Sequence, residues 1–425
     1  MNLRTLLETL TSKHQLSIQN DFFSQDEQIA KQLYQTKEQA TIFTNTECPQ
    51  WKVAGGIYSQ RQHIALGIDV PENKLITTLA HAFENPSKNN IEDHPKCQEC
   101  IIQNPDLNDF PITKYLPQDG GRYITSGVMI ICDKEFGLNA CYHRLMQINH
   151  NQFTMRMVEG RHTHQAYLKN NNKLEAAVCI GNSAAIMLAA SMPAPDNIFE
   201  LEIANTLETT NLAKCITNDL LVPADSEVIL EGHILPTQTT EGPFVDLTGT
   251  YDLIRQQPIF QVECITHRQN PIWQILLPGK QEHKLLMGMP KEPVLYSQLN
   301  KEIECTDIVL TLGGGCWLHA AIQINKHNED DAKKAIQIAF SVHKSLKHII
   351  VVDTDIDIHN PLELEWAMAT RFQASRDIVI LQDQPSSSLD PSARHVPNQK
   401  SKTDKLGFDA TIPWNENKIK FISII

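Results

Sequence analysis

The sequence predicts a mixed α/β (α+β) protein, in which a central antiparallel sheet or split β-barrel is flanked by an N-terminal and a C-terminal α/β domain. Three successive patterns predict this arrangement: helical and strand-like segments come first, many short β-branched runs follow, and strand and helix patterns then alternate. A chain of 425 residues is also too long for a single hydrophobic core. We therefore expect three domains, over residues 1–113, 114–295 and 296–425.

The first domain opens with an amphipathic helix, because four leucines recur at helical spacing: Leu3, Leu6, Leu7 and Leu10. Short apolar runs at residues 41–43 and 51–57, separated by Thr, Asn and Pro, are typical of strands. The pair Gly55-Gly56 then frees the backbone before a second helix, predicted in the segment SQRQHIALGI. Residues 84–113 are rich in Asn, Pro, Asp and Lys, so we place the first boundary there.

The second domain consists of short β-branched runs separated by turn residues. The runs are YITSGVMIIC, HRLMQI, QFTMRMV, AVCI, EVILEGHIL, PIFQVECITH and PIWQILL. This pattern favours an antiparallel sheet or split barrel. Arg144 and Arg156 lie on the two arms of a hairpin predicted to turn at residues 149–151, so both side chains could face one side of the sheet. One helix is inserted at residues 183–190 and ends at Pro193.

The third domain alternates strands and helices after about Pro293. Strands are predicted at residues 307–312, 348–353 and 377–381, and helices at residues 329–346 and 363–374. Such β-α-β alternation is typical of a small α/β domain with parallel strands. The polar residues 385–403 predict an irregular, flexible tail, which the segment GFDATIPW follows.

The charge balance argues against one class of partner. Lys and Arg number 37 against 50 Asp and Glu, a net charge of −13, whereas nucleic-acid surfaces are rich in cations. The N terminus has no apolar h-region, and no apolar run approaches the roughly 20 residues that span a bilayer. We therefore expect no nucleic-acid partner, no signal peptide and no transmembrane segment, in a soluble, intracellular and cytoplasmic protein.

The ten cysteines are spread singly, apart from Cys97 and Cys100. A chain of this length does not need disulfides, so we predict that all ten are reduced thiols. A zinc site at Cys97 and Cys100 is disfavoured, because no second CxxC or HxxxH follows at finger spacing. We expect a solvated loop there.

Three polar residues in otherwise apolar sequence form a candidate metal site: Asn139, His162 and Glu200. An amide oxygen, an imidazole and a carboxylate together suit a hard or borderline divalent ion such as Mg²⁺ or Mn²⁺. Three protein ligands would leave coordination positions of the ion open for phosphate oxygens. Each residue also has a structural interpretation, as a turn residue, a surface histidine and a carboxylate at a helix N terminus.

Arg144, Glu241 and Asp246 form a second candidate site. A guanidinium can bind a carboxylate bidentately, and two acids in a Gly-Pro turn could hold different protonation states, as proton donation requires. The structural interpretation of the same three residues is a salt bridge on a sheet. Lys402 and Lys405, in the predicted flexible tail, could reach a phosphate or could simply be solvated.

Seven segments, in this order along the chain, resemble the UbiD family of decarboxylases, which act on aromatic and α,β-unsaturated carboxylic acids with prenylated FMN. The segments are YITSGVMI, NACYHR, ASMPAPDNIFE, VPADSEVILEGHI, EGPFVDLTGTYD, ITHRQNPIW and DKLGFDAT. A set of motifs in a fixed order is far more specific than any one of them. The resemblance implies that the central domain is a flavin-binding split barrel and that the C-terminal tail takes part in oligomerisation.

The resemblance also implies a role for each matching residue. Asn139, Glu200 and, in some members, His162 would bind the Mn²⁺ or Mg²⁺ ion that ties the cofactor phosphate to the protein. Lys405 would reach the same phosphate. A turn that binds K⁺ and contacts the flavin would contain Ala190, Ser191 and Met192. The other implied cofactor contacts are Tyr142, His143, Arg144, Arg156, Met157, Val158, Arg161 and His162.

In catalysis, the resemblance implies that Arg144 orients the substrate carboxylate, Asp246 donates a proton to carbon and Glu241 holds Arg144 in place. The prenylated flavin would act as an electron sink for the loss of CO₂. Val245 stands where relatives usually carry Gly, and could narrow the pocket beside Asp246.

The implied substrate is an aromatic or α,β-unsaturated carboxylic acid, and polyprenyl-hydroxybenzoate, a ubiquinone precursor, is favoured over a smaller phenolic acid or an acrylic acid. A prenylated substrate would imply peripheral contact with a membrane. A flavin prenyltransferase would supply the cofactor, and we expect a homo-oligomer. Two rival functions stay open: a flavin-binding accessory subunit without turnover, and a metal-dependent hydrolase that uses Asn139, His162 and Glu200.

Overall fold

The structure, a computed structural model, describes residues 1–396 and 399–423. Helices and strands alternate along these residues, and the strands form four sheets. The mixed α/β class predicted from the sequence is confirmed. The helices are α1 (Leu3–Ser12), α2 (Gln28–Gln35), α3 (Arg61–Gly67), α4 (Leu75–Glu84), α5 (His162–Lys169), α6 (Ala184–Ala189), α7 (Glu200–Leu207), α8 (Gln281–Gly288), α9 (Glu292–Leu299), α10 (Asp331–Val342) and α11 (Pro361–Arg371).

The strands are β1 (Ser17–Phe23), β2 (Thr41–Thr46), β3 (Lys52–Gly55), β4 (Cys100–Gln103), β5 (Tyr123–Ile124), β6 (Val128–Asp133), β7 (Gly137–Tyr142), β8 (Leu145–Gln147), β9 (Gln152–Met155), β10 (Leu174–Ile180), β11 (Leu212–Lys214), β12 (Leu221–Pro223), β13 (Val228–Glu241), β14 (Arg255–His267), β15 (Ile272–Gln274), β16 (Cys305–Leu310), β17 (His319–Ile324), β18 (His348–Asp353), β19 (Ile378–Pro385) and β20 (Lys402–Asp409).

The chain divides into two compact units. The first contains Met1–Leu75 and His81–Leu286, and the second contains Ile76–Ala80 and the chain from Met287 onward. The first unit thus holds most of the first predicted domain and most of the second. The division into three domains stays a prediction, and residues 397, 398, 424 and 425 of its last range lie outside the described residues.

The largest sheet of the first unit has nine antiparallel strands in the order β5-β8-β9-β14-β13-β10-β6-β7, with β4 paired to β14. The β-branched and aromatic side chains of these strands supply a buried core that includes Ile131, Phe153, Val178, Leu230 and Phe260. The antiparallel pairing expected for the central region is therefore confirmed.

A four-stranded sheet in the order β1-β2-β3-β15 and a two-stranded sheet of β11 and β12 complete the first unit. The predicted opening helix is confirmed as α1, whose four leucines at helical spacing are all buried. Asn2 caps it by accepting a hydrogen bond from the backbone N–H of Thr5. The predicted hairpin is also confirmed, because β8 and β9 pair antiparallel and the N–H of Arg156 donates to the Arg144 carbonyl at 3.1 Å.

The second unit contains a five-stranded mixed sheet in the order β16-β17-β18-β20-β19. Strands β17, β18 and β20 are parallel, as β-α-β alternation predicts, whereas the edge strands β16 and β19 are antiparallel. The prediction of a flexible tail was wrong, because Lys402 and Lys405 belong to strand β20. Lys405 is 3% exposed.

None of the helices formed by residues 1–396 and 399–423 has the length and apolarity needed to cross a membrane. All ten cysteines are free thiols, as predicted. Cys97 is buried and Cys100 half-buried, so the pair does not lie in the solvated loop that we expected.

Candidate active site

Arg144 lies between strands β7 and β8 and contacts three carboxylates. Its Nε and Nη2 donate to Oε1 and Oε2 of Glu241, both at 2.9 Å, which makes a bidentate pair. Its Nη1 and Nη2 also donate to Oδ2 of Asp246 and Oδ2 of Asp252, both at 3.1 Å. Burial opposes the charged form of Arg144, but the hydrogen bond and charge of Glu241 outweigh it and raise the pKa of Arg144.

The structure therefore brings together the three predicted catalytic residues. The side chain of Arg144 is 9% exposed, that of Glu241 is fully buried and that of Asp246 is 21% exposed. Two of the three groups are thus largely shielded from water, while Asp246 keeps an exposed edge. Charge-assisted hydrogen bonds are stronger in such a site than in water.

A tight turn after strand β13 positions Asp246. Glu241 is the last residue of β13, and Gly242 follows with a φ of +94°, a conformation that favours glycine. The N–H of Asp246 donates to the Thr250 carbonyl at 3.1 Å, and its Oδ1 accepts from the N–H of Leu247 at 2.7 Å. These bonds fix the backbone and one carboxylate oxygen of Asp246, and leave Oδ2 to face Arg144.

Buried aromatic side chains pack against the segment that follows strand β13. The ring centroid of Phe244 lies 4.2 Å from the ring centroid of Tyr123 and 5.1 Å from the guanidinium carbon of Arg144. The Tyr123 hydroxyl donates to Oε1 of Glu241 at 3.3 Å. Val245 is 6% exposed and packs close to Gly279, so its side chain points into the unit. Its effect on the substrate pocket stays a prediction.

The three candidate metal ligands meet at the other end of strand β7. Nδ2 of Asn139 donates to Oε1 of Glu200 at 2.7 Å and lies 3.4 Å from Nδ1 of His162. Asn139 belongs to β7, while His162 and Glu200 are the first residues of α5 and α7. Nε2 of His162 lies 2.8 Å from Oδ1 of Asp196. All four side chains line one small cavity.

The Asn139 amide would face a metal ion with its oxygen after a half-turn of the side-chain amide. Oδ1 of Asn139 is buried and has no hydrogen-bond partner among residues 1–396 and 399–423, an arrangement that is unfavourable for a polar atom unless something binds it. Rotation of the amide would turn this oxygen toward Glu200 and His162. The described residues contain no group of three or more His, Cys, Asp or Glu side chains suited to a metal, so a metal site here depends on the Asn139 amide.

Tyr142 and His143 follow Asn139 along β7 toward Arg144. The Tyr142 hydroxyl donates to the Met187 carbonyl at 2.6 Å, and burial raises its pKa. Nδ1 of His143 donates to the Arg156 carbonyl at 2.8 Å, so Nε2 accepts from the Thr163 hydroxyl at 3.0 Å. Burial lowers the pKa of His143 to about 4. His143 is therefore a neutral, locked ring on the strand predicted to lie along the flavin.

The next predicted contacts follow strand β9. Arg156 is 16% exposed, Met157 is buried and Val158 is 45% exposed. Arg161 is exposed and lies immediately before helix α5. The structure thus places Arg156 beside the Arg144 cluster and Arg161 beside the Asn139 cluster, while their roles as cofactor contacts stay predictions.

Ala190, Ser191 and Met192 form a buried turn after helix α6. The Ser191 hydroxyl donates to the Leu286 carbonyl at 2.6 Å. Lys405 belongs to the second unit, where its Nζ donates to the Lys344 carbonyl at 2.8 Å and lies over the Phe340 ring. Burial lowers the pKa of Lys405 to about 8. The predicted K⁺ site and the predicted phosphate contact of Lys405 stay predictions.

Three residues of the Arg144 site were missed by sequence reasoning: Asp252, Arg255 and His283. Oδ2 of Asp252 pairs with Nη1 of Arg255 at 2.7 Å. Nδ1 of His283 accepts from the N–H of Gly279 at 3.0 Å, and burial lowers its pKa, against the opposing charge of Asp246. Asp252 and Arg255 had a weak signal, an acid and a base three residues apart just after EGPFVD, whereas nothing in QEHKLL marked His283.

Comparison with known families identifies the fold. The model of the UbiD 3-octaprenyl-4-hydroxybenzoate carboxy-lyase Rift-related domain matches residues 89–281, and the model of the C-terminal domain of the same carboxy-lyase matches residues 284–410. The chain belongs to the UbiD family. The resemblance drawn from seven short segments is thereby confirmed, over most of the chain.

This UbiD-family chain is similar to archaeal proteins named anhydromevalonate phosphate decarboxylase. The protein of Methanocaldococcus jannaschii is 42% identical over 370 residues, which cover 85% of this chain and 86% of that one. The protein of Methanothermobacter thermautotrophicus is 38% identical over 380 residues, 88% of each chain.

Among solved structures, the UbiD-class enzyme HmfF from Pelotomaculum thermopropionicum in complex with FMN is 34% identical, with a TM-score of 0.94 over 100% of this chain and 97% of that one. An evolved dimeric form of HmfF with prFMN is 32% identical, with a TM-score of 0.90 over 100% and 99% of the two chains. The UbiD-family chain is therefore a carboxy-lyase with the UbiD-class fold.

Proposed function

We propose that the protein decarboxylates a phosphorylated α,β-unsaturated carboxylic acid with prenylated FMN as cofactor. The observation that carries the proposal is the buried arrangement around Arg144, in which Glu241 holds the guanidinium bidentately and Asp246 lies against its remaining nitrogen. This arrangement offers a fixed cation for a substrate carboxylate and an adjacent acid for proton transfer.

The names of the relatives support the substrate class. Anhydromevalonate phosphate is, as its name states, a dehydrated hydroxy acid that carries a phosphate ester, and the relatives named for it are 33–42% identical to this chain. The ubiquinone precursor favoured on sequence alone lacks such support, although the family models include 3-octaprenyl-4-hydroxybenzoate in their names. A phosphorylated substrate also makes peripheral membrane contact unnecessary.

Prenylated FMN, when bound, supplies an electron sink for the electrons that loss of CO₂ leaves on carbon. The FMN and prFMN complexes of HmfF support a flavin here. Asn139, His162 and Glu200 would hold the Mn²⁺ or Mg²⁺ ion, which would satisfy the buried Oδ1 of Asn139. Ser191 lies in the turn proposed for K⁺. A flavin prenyltransferase would supply the cofactor, and the dimeric form of HmfF supports a homo-oligomer.

In the proposed reaction, Arg144 binds the substrate carboxylate and Asp246 transfers a proton. Nη1 of Arg144 is bound by Asp246 in this structure, and a protonated Asp246 would release that nitrogen to the substrate carboxylate because a neutral acid is the weaker acceptor. Departure of neutral CO₂ leaves the electron pair of the broken C–C bond, and its negative charge, on the substrate carbon, where a bound prenylated flavin would take it up. The proton on Asp246 is delivered to the carbon that lost CO₂.

The test uses protein co-expressed with a flavin prenyltransferase and supplied with Mn²⁺ and K⁺. We expect the cofactor released from it to have the mass and absorption spectrum of prenylated FMN, and the holoenzyme to release CO₂ from anhydromevalonate phosphate. Asp246→Asn should retain the flavin and lower kcat by about 10²–10⁴-fold. The matched control is Asp219→Asn, because Asp219 is 89% exposed and pairs with the exposed Lys214.

Three outcomes would contradict the proposal. They are the absence of flavin from protein made under these conditions, an undiminished rate in Asp246→Asn, and a flavin-free hydrolytic activity that a chelator abolishes. The last would return the metal-dependent hydrolase to consideration, while flavin binding without turnover of any acid tested would favour an accessory subunit.

A further inference from the structure

Carboxylates of the chain itself bind most of the N–H donors of Arg144. Nε and one N–H of Nη2 donate to Glu241, and the second N–H of Nη2 donates to Oδ2 of Asp252 at 3.1 Å. Nη1 donates to Oδ2 of Asp246, also at 3.1 Å. Because a guanidinium has five N–H donors, these four bonds leave one N–H, and it belongs to Nη1.

Asp252 is a fixed and ionised carboxylate. Its side chain is 8% exposed. Its Oδ1 accepts from the N–H of Leu253 at 2.8 Å, its own N–H donates to the Phe244 carbonyl at 2.9 Å, and its Oδ2 lies 2.7 Å from Nη1 of Arg255. Burial opposes the charged form of Asp252, but the charges of Arg144 and Arg255 and the hydrogen bond from Arg255 outweigh it and lower the pKa of Asp252.

The two aspartates on Arg144 therefore differ in how easily they release it. Asp246 is 21% exposed and, in the proposed reaction, carries a proton that weakens its bond to Nη1. Asp252 keeps its charge, so Nη2 stays bound. A carboxylate ordinarily binds two nitrogens of a guanidinium at once, but Glu241 takes the Nε–Nη2 pair and Asp252 blocks the Nη1–Nη2 pair.

We infer that Asp252 is a positioning residue that holds Nη2 of Arg144, so that the substrate carboxylate binds Nη1 alone. This inference rests on the proposed function. A bidentate pair with Arg144 would stabilise the carboxylate of the bound substrate, and that stabilisation is lost as the carboxylate becomes neutral CO₂. Such a pair lowers KM and kcat together. Contact through one nitrogen orients the carboxylate with less stabilisation of the bound substrate.

The first test measures the binding of butanoate, a saturated carboxylate without the double bond of the substrate, to the flavin-loaded enzyme by titration calorimetry. Asp252→Asn can keep the bond from the Leu253 N–H to Oδ1, and it then places an amide NH₂, which is a donor, where Oδ2 faces Arg144. Nη2 is thereby released to the ligand. We expect the dissociation constant of butanoate to fall about tenfold, while that of the uncharged butanamide stays unchanged.

The second test measures decarboxylation of anhydromevalonate phosphate by the same variant. We expect Asp252→Asn to lower KM and kcat by about tenfold each, so that kcat/KM changes little. A purely structural role of Asp252 predicts a different result, because a disordered Arg144 would bind the carboxylate less tightly and would raise KM.

A charge-balanced variant separates the release of Nη2 from a change in net charge. Asp252→Asn combined with Arg255→Gln removes one anion and one cation, and the tighter binding of butanoate should persist. A return to the wild-type dissociation constant would show that net charge controls binding, and would overturn the inference. The double variant also replaces Asp252→Asn in both tests if the single variant does not fold, which flavin absorbance reports.

Asp355→Asn is the matched control for the loss of an Asp–Arg pair. Asp355 binds the buried Arg371 of the second unit at 3.0 Å and 2.6 Å, so its substitution should change neither the binding of butanoate nor kcat.

The inference and the proposed function fail in different ways. A flavin-loaded wild-type enzyme that does not decarboxylate anhydromevalonate phosphate or any other acid tested would overturn both. An active wild-type enzyme whose Asp252→Asn variant binds butanoate no more tightly, or has a raised KM, would overturn the role of Asp252 and leave the decarboxylase in place.

Discussion

At the scale of single residues, the charges around Arg144 balance. Arg144, Arg156 and Arg255 face Glu241, Asp246 and Asp252, so the cluster holds equal numbers of cations and anions. Such balance matters because an uncompensated charge in a poorly hydrated site is strongly unfavourable. Binding of an anionic substrate adds negative charge to this balanced cluster, and the proton that we propose on Asp246 would offset one unit of it.

Glu241 provides the sharpest prediction at this scale. Glu241→Gln keeps the shape of a fully buried side chain but removes the charge that holds Arg144 bidentately. We expect kcat to fall by about 10²-fold or more, because a misplaced reacting group costs this much. Loss of one partner from a buried ion pair should also destabilise the protein by about 3–5 kcal/mol. Steady-state kinetics and calorimetry of the holoenzyme measure the two effects.

Glu263→Gln is the matched control for that substitution. Glu263 lies on β14, in the same sheet, but it is 39% exposed and pairs with His233, so neither kcat nor stability should change appreciably. A Glu241→Gln enzyme with wild-type kcat would show that the bidentate pair is a structural salt bridge and not part of the catalytic arrangement.

At the scale of elements, the connection between strands β13 and β14 carries Asp246 and Asp252, and Arg255 begins β14. Gly279 packs against this connection. Gly279 has a φ of +65°, and a Cβ built on it would lie 2.8 Å from the Asp246 carbonyl oxygen and 2.9 Å from Cγ1 of Val245. The backbone of Asp246, the proposed proton donor, therefore rests on a position where only glycine fits.

Gly279→Ala should therefore impair catalysis more than folding. The added methyl must displace the Asp246 backbone by a few tenths of an ångström or more, and we expect kcat to fall about tenfold or more with little change in far-UV circular dichroism. Gly249→Ala tests whether backbone strain alone is responsible, because Gly249 has a φ of +75° but no atom within 4 Å of an added Cβ. Equal losses in the two variants would mean that strain, and not the contact with Asp246, controls the rate.

The sequence predicted elements well where apolar periodicity matched burial. Strand β18 was predicted at its observed bounds, since HIIVVD is a continuous apolar run in a buried strand. Strand β20 was missed because its burial runs against its polarity: Thr403, Lys405 and Asp409 are buried, while Leu406 and Phe408 are only half-buried. A pattern of this kind has no signature in hydropathy, because tertiary contacts supply the partners for the polar side chains.

The contacts of the candidate site were also predicted only in part. The hairpin prediction placed Arg144 and Arg156 together, as the structure has them. The convergence of Asp252 and Arg255 on those arginines was not predictable, because it depends on the register of β13 against β14, in which Glu241 pairs with Arg255. Cross-strand register is a long-range property that local sequence determines weakly.

At the scale of the whole molecule, the candidate metal site is assembled from residues that lie far apart in the sequence. Asn139, His162 and Glu200 come from one strand and two helices, and the buried Oδ1 of Asn139 has no hydrogen-bond partner within the described residues. An ion or cofactor that binds there binds the folded state and not the unfolded chain. Binding should therefore raise the thermal stability of the protein by mass action.

We predict that Mn²⁺ together with FMN raises the midpoint of thermal unfolding and that a chelator reverses the change. At ligand concentrations about 100 times the dissociation constant, the stabilisation is about 2.7 kcal/mol, or roughly 5–10 °C for a unit of this size. Because a chain with a net charge of −13 also collects Mn²⁺ non-specifically, the decisive comparison is between two glutamates of helix α7. Glu200→Gln should abolish the shift. Glu202→Gln should retain it, since Glu202 pairs instead with the 85% exposed Lys88. Equal shifts in both variants would place the metal elsewhere and would separate the Asn139 cluster from cofactor binding.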